Sequence, residues 1–164
     1  LNIGAEPSKG TELQTTVYLM LEKAKQEGRI NFVGNVEARD AVEGAVDVIV
    51  TDGYSGNILL KTMEGTALYV VGEMKKMFKS SLKTKLAALL MKDQLMQFKK
   101  KLSSDEIGGT AMLGISKPVI KAHGSSGEYA FGNAIKQAAH FAASGIIENI
   151  TANVDQMRLD KTEL

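Results

Sequence analysis

Apolar residues recur at helical spacing from Leu13 through Val17 and Leu21 to Ala24, which places them on one face of a helix. Thr11 stands where a capping residue is expected, and Gly28 stops the run. Before this helix, Leu1 to Gly4 reads as the end of a strand and Ala5 to Gly10 as a polar loop holding Pro7 and Lys9. After it, Ile30 to Val33 reads as a short strand closing at Gly34-Asn35. A polar stretch from Val36 to Gly44 leads to Val46-Asp47-Val48-Ile49-Val50-Thr51, a β-branched run short enough for a buried strand of a parallel sheet. The glycine-rich Asp52-Gly53-Tyr54-Ser55-Gly56-Asn57 follows as a loop, with a long helix expected from Ile58. Leu82 to Leu102 repeats apolar positions at steps of three and four and predicts a second amphipathic helix. With no strand between these two helices, a projecting hairpin over about residues 72–104 is the expected arrangement. Gly108-Gly109 ends the excursion, Met112 to Ile115 and Val119 to Ala122 read as strands joined at Ser116-Lys117-Pro118, and a terminal helix is expected from about Glu128 past Asn149.

Strands alternating with helices define an α/β layered fold with a mostly parallel sheet, in which ligands bind at the carboxyl ends of the strands. At 164 residues and 44% hydrophobic content the chain is in the size range of one domain. It contains no cysteine, which removes disulfides and thiolate nucleophiles from consideration and is compatible with an intracellular location. The opening Leu1-Asn2-Ile3-Gly4 shows neither a basic n-region nor a long apolar h-region, so no secretory signal is expected. Charge is divided unevenly along the chain. Nine lysines (Lys75, Lys76, Lys79, Lys83, Lys85, Lys92, Lys99, Lys100 and Lys101) face one acid, Asp93, between Met74 and Lys101, a local balance of +8 in a chain of net charge +1. That asymmetry fits either a surface aimed at an anionic partner or a solvated helix face.

The candidate chemistry lies in the strand-to-helix loops. Glycine lets the backbone approach an anion, successive N–H groups converge, and a helix N-terminus carries partial positive charge. His123-Gly124-Ser125-Ser126 fits a phosphate site, with helix capping by Ser125 or Ser126 as the structural alternative. His123 alone fits one structural hydrogen bond as well as proton transfer. Asp52 to Asn57 forms a comparable cradle, in which Asn57 either caps the helix from Ile58 or meets substrate, while Asp52 can orient a donor or accept a proton. Lys61 faces either that cradle or solvent. Arg39 can clamp a phosphate bidentately or pair with Glu37, Asp40 or Glu43. There is no Walker A loop, no G-x-G-x-x-G after a strand and no G-x-S-x-G elbow. The two histidines, His123 and His140, form no zinc motif, so no metal is expected. A decarboxylating dehydrogenase would need a cluster of aspartates that the isolated acids do not make. The lysine-rich segment has only Phe78 and Phe98 to stack bases and no arginine, which argues against nucleic acid.

Asn31-Phe32-Val33-Gly34-Asn35-Val36-Glu37-Ala38-Arg39-Asp40, Asp52 to Asn57 with Leu60-Lys61-Thr62, Ala122-His123-Gly124-Ser125-Ser126, and the opening Leu1 to Glu6 with Lys9-Gly10 together resemble the PlsX family of phosphate acyltransferases, from Leu1 to about Asn149. The resemblance implies a Rossmann-like three-layer α/β/α fold related to phosphotransacetylase and to isocitrate and isopropylmalate dehydrogenases, with residues 1–164 as the C-terminal part of one such domain. It implies a cytoplasmic homodimer that converts acyl carrier protein (ACP) thioesters and inorganic phosphate to acyl phosphate and ACP for bacterial phospholipid synthesis, without a cofactor. On that footing Asp52, His123 and Asn57 are candidate catalytic groups. Lys9, Gly10, Asn35, Arg39, Gly53, Gly56, Lys61, Gly124, Ser125 and Ser126 are candidates for binding substrate or phosphate. Lys75, Lys76, Lys79, Lys83, Lys85, Leu86, Leu89, Leu90 and Lys92 are candidates for contact with acidic ACP or with an anionic membrane at its inner face. A second subunit's hairpin is the other candidate to cover the leucines. The alternatives are an acetyl-CoA type phosphotransacetylase and a non-catalytic scaffold that binds ACP or membrane.

Overall fold

The computed structural model describes residues 1–157. The chain mixes helices with a small sheet, in the order α1 (Glu12–Gln26), α2 (Ala38–Glu43), α3 (Gly53–Lys79), α4 (Leu82–Leu90), α5 (Lys92–Lys101), a 3₁₀ turn (Ser104–Glu106), β1 (Gly109–Ala111), β2 (Ile120–Ala122), α6 (Glu128–Ala143) and α7 (Ile146–Met157). It divides into two compact units, one spanning residues 1–68 and one beginning at Tyr69.

In the first unit α1 forms where its periodicity predicts. Its N-cap is Thr11, whose N–H donates to Gln14 Oε1 at 2.9 Å, and Gly28 follows in the left-handed region at φ 72°. Its Ala24 is buried, and Tyr18 meets Phe32 edge-on with ring centroids 5.3 Å apart. The expected strands at Ile30–Val33 and Val46–Thr51 are not strands in this chain. A parallel strand exists only through a ladder of bonds to a neighbour. Here the contacts are single: Asn2 N donates to Val36 O at 2.9 Å within one parallel bridge, Asn2 to Glu37, and Leu1 N donates to Val50 O at 2.8 Å. Val48 and Val50, read as buried, are 78% and 62% exposed.

A second difference concerns α3. The segment Asp52 to Asn57, expected as a loop, is the helix start, because Asp52 Oδ1 accepts the N–H groups of Tyr54 (2.9 Å) and Ser55 (2.8 Å) and thereby caps a helix that begins at Gly53.

In the second unit the expected single helix Leu82–Leu102 is two, α4 and α5, meeting at Met91. The capping box of α4 joins Ser81 and Thr84: Ser81 Oγ accepts from Thr84 N at 3.2 Å, and Thr84 Oγ1 accepts from Ser81 N at 3.0 Å. The core of this unit is α6 laid on the antiparallel pair β1–β2, with Ala130, Ala134 and Phe141 buried. The strands expected at Met112–Ile115 and Val119–Ala122 are therefore displaced: β1 starts at Gly109, opposite Ala122, and the link between the strands contains Gly114 at φ 78°. The terminal helix is also broken, into α6 and α7, at Ser144-Gly145, where φ of Gly145 is 69°. The one sheet among the described residues is this antiparallel pair, so at the coarse level the chain is a helix-dominated mix of helix and strand.

Candidate functional site

Two groups of predicted site residues emerge, one in each unit. In the first, the loop Gly4–Gly10 is held from both sides by asparagine. Asn2, itself buried, donates from Nδ2 to Lys9 O at 2.9 Å and accepts Ile3 N–H at 2.8 Å, while Asn35 Nδ2 donates to Glu6 O at 2.9 Å. Lys9, Gly10 and Asn35 are thus brought together, with Asn35 engaged as a positioning group. Gly10 is required by geometry: its φ is 96°, and a Cβ there would sit 2.7 Å from Asn2 Oδ1 and from Gln14 Cβ. Asn2 was not singled out from sequence, although a polar residue between Leu1 and Ile3 at a strand end was its signal.

Asn35 and Asp52 also line one cleft of about 570 Å³, walled by Leu13, Val17, Leu21, Phe32 and Val48. Asp52 is the acid at its rim. The N–H and hydroxyl of Ser55 and the N–H of Tyr54 stabilise its carboxylate and hold its pKa below the ordinary 3.8. Those N–H groups are the cradle expected to meet phosphate, and Asp52 occupies two of them. Gly53 and Gly56 lie in the first turns of α3. Gly56 is buried because a Cβ there would come within 2.5 Å of the Thr51 methyl. Asn57 is not the cap, since it lies inside α3 on an exposed position. Lys61 pairs with Glu64 at 3.0 Å, and Arg39 with Asp40 at 3.2 Å, both at the surface.

In the second unit β2 ends at Ala122 and α6 starts at Glu128, so His123 to Gly127 spans the gap. His123 Nδ1 lies 2.7 Å from Ser125 Oγ and accepts the Ser125 N–H at 3.2 Å. A ring nitrogen that accepts an N–H carries a lone pair, so the neutral imidazole keeps its proton on Nε2. Ser126 N closes the turn onto His123 O at 3.0 Å. Neither serine caps α6: the N-cap is Gly127 and makes no side-chain capping bond. A helix N-terminus without a capping side chain, beside a serine and a histidine, can accept an anion and move a proton.

The nine lysines between Lys75 and Lys101 are all exposed. Lys76 pairs with Glu73 at 2.6 Å and Lys100 with Glu106 at 3.3 Å, two partners just outside the basic run. Leu82, Leu86, Leu89 and Leu90 form one face of α4, from 59% to 83% exposed. No helix among the described residues is long and apolar enough to cross a membrane, and none of their His, Asp and Glu side chains cluster in threes that could hold a metal.

The start of α6, with no capping side chain and with Ser125 and His123 beside it, has a geometry suited to an anion. The fatty acid synthesis protein family matches residues 1–149, and the chain belongs to that family. It is 47% identical over 163 residues to a phosphate acyltransferase of Brevibacillus brevis, covering 99% of this chain and 48% of that protein. It is 49% identical over 157 residues to that of Oceanobacillus iheyensis (96% and 46%), and 44% identical over 158 residues to that of Anoxybacillus flavithermus (96% and 47%). The resemblance read from the motifs is therefore borne out, and the chain spans about half the length of the curated relatives it matches.

Proposed function

We propose that this chain is part of an acyltransferase that moves a fatty acyl group from ACP to inorganic phosphate in bacterial phospholipid synthesis. The observation that carries the reading is identity of 44–49% over nearly the whole chain to proteins named phosphate acyltransferase. The geometry suits that chemistry. A phosphate oxygen attacks the thioester carbonyl carbon, the tetrahedral oxyanion collapses, the C–S bond breaks, and the sulfur leaves as the carrier's thiol after taking a proton. Phosphate is the nucleophile, so the protein's work is to hold an anion against a carbonyl and to manage one proton. The N–H groups at Gly124 to Gly127 with Ser125 and Ser126 hold the phosphate in this reading. His123 carries its proton on Nε2, away from Ser125, where it can serve the leaving sulfur. Asp52 and Asn57 organise the acyl end, Asp52 as the fixed carboxylate at the start of α3.

The finer architecture belongs to the same proposal. The bonds from Leu1 to Val50 and from Asn2 to Val36 support a parallel arrangement with residues 1–4 between residues 30–36 and 46–51, as a Rossmann-like three-layer fold requires. The exposed leucines of α4 between exposed lysines support contact with acidic ACP, with an anionic membrane at its cytoplasmic face, or with a second subunit. The test is release of ACP thiol from long-chain acyl-ACP with and without phosphate. Phosphate-dependent release, lost in Ser125→Ala, Ser126→Ala or Asp52→Ala, is the expected result. Undiminished turnover in those variants refutes the roles given to these residues, and binding of ACP without any release identifies a scaffold instead.

A further inference from the structure

The loop His123–Gly127 hydrogen-bonds mostly within itself, so its direction is inherited from the elements at its two ends. At the first end Ala122 closes β2 opposite Gly109 of β1. At the second, α6 is gripped by the 3₁₀ turn Ser104–Glu106: Glu106 Oε2 accepts the Tyr129 hydroxyl at 3.0 Å, and Asp105 O accepts Asn133 Nδ2 at 3.0 Å. Tyr129 and Asn133 are four residues apart on one face of the first turns of α6. Lys100 approaches the same Glu106 oxygen to 3.3 Å, so the carboxylate has two partners on two helices. Gly108, between the grip and β1, lies so close to α6 that an added Cβ would meet Ala130 O and Ala134 N at 2.4 Å. The start of α6 thus has little room to slide, and the Tyr129–Glu106 bond ties its first turn to the 3₁₀ turn.

We propose that Glu106 and Tyr129 are positioning residues for the His123–Ser125 pair: they fix the first turn of α6 and with it the angle at which the loop presents Ser125 and the imidazole. This rests on the acyl-transfer reading insofar as turnover is measured, but the placement of His123 is testable without it. In the full chain, Tyr129→Phe removes only the hydroxyl, Glu106→Ala removes the acceptor, and Glu106→Gln keeps an oxygen for Tyr129 while dropping the charge that meets Lys100.

The expected result is a KM for phosphate raised about five-fold, the worth of one ordinary hydrogen bond, in Tyr129→Phe and in Glu106→Ala, with kcat changed less. The double variant is expected to be no worse than either single one, and Glu106→Gln to restore the wild-type KM. In parallel, the imidazole 15N shifts of His123, which report the Nε2–H form held by Ser125, move toward those of a free imidazole in the same two variants and not in Glu106→Gln. A lowered melting temperature with both KM and the imidazole shifts unchanged overturns the proposal, because that is what a purely structural clasp gives. If the wild-type protein shows no phosphate-dependent thiol release, the functional reading falls, and the imidazole shifts alone decide the positioning role.

Discussion

Asp52 caps α3 with its carboxylate. Its position after an apolar run suggested an acid at a strand end; its bonds show an N-cap first, with the carboxylate bound to Tyr54 and Ser55. Those bonds are stronger to the ionised carboxylate than to the neutral acid, so its pKa is lowered on folding. The stability they contribute is present above the ordinary value of 3.8 and is lost as pH falls through the lowered folded value. Thermal melts of the wild type are therefore expected to lose midpoint on acidification through that window, and Asp52→Asn to lose less over the same range. Equal acid slopes would mean that Asp52 is free in solution. Glycine supplies a second test at this scale. Gly108 (φ 83°) faces backbone atoms of α6 at 2.4 Å, whereas Gly114 (φ 78°) faces open space. Alanine at 114 is expected to cost about 1 kcal/mol from backbone strain alone, and at 108 about 3 kcal/mol, strain plus overpacking. Denaturant midpoints of the two variants measure the difference.

Among the elements, those with a cap and a clean apolar period were legible. Thr11, the Leu13–Ala24 stripe and Gly28 delimit α1 because its ends are written in local chemistry. The segments at 30–33 and 46–51 do not form paired strands here, because a parallel strand depends on neighbours that no local pattern supplies and the partner segment Leu1–Gly4 offers only single bonds. Breaks inside apolar runs were equally hidden. Periodicity continues across Met91 and across Ser144-Gly145, yet the helices stop, in the second case at a glycine with positive φ. In the second unit, His123 and Ser125 are two positions apart in a loop that the sequence marks, whereas Glu106 and Tyr129 lie 23 positions apart and meet only through tertiary packing. For α4 the decisive local feature is Ser81, whose Oγ accepts from Thr84 N. Ser81→Ala is expected to cost about 1 kcal/mol and to speed amide exchange in residues 82–90 about five-fold. Unchanged protection there would show that α4 is held by its surroundings and not by its cap.

For the whole molecule, charge is the property that survives the corrections. Extending the basic run to include the paired acids Glu73 and Glu106 leaves nine lysines against four acids over residues 73–106, a balance of +5, with −4 on the remainder of the chain. The lysines are exposed, and such charges act through solvent over roughly 8 Å at physiological salt. They can therefore raise the encounter rate with a strongly acidic carrier but contribute little to fixing a small anion in a loop. On the proposed acyl transfer, the two substrates should then respond differently to ionic strength. KM for acyl-ACP is expected to rise about ten-fold between low and physiological salt while KM for phosphate moves far less. Lys79→Glu, Lys83→Glu and Lys85→Glu together should give a high KM for acyl-ACP that no longer climbs with salt, with turnover on saturating acyl-ACP preserved. If the triple variant instead keeps the wild-type salt response and loses binding to vesicles containing anionic lipid, the basic run serves the membrane, and the carrier must be recognised by a different surface.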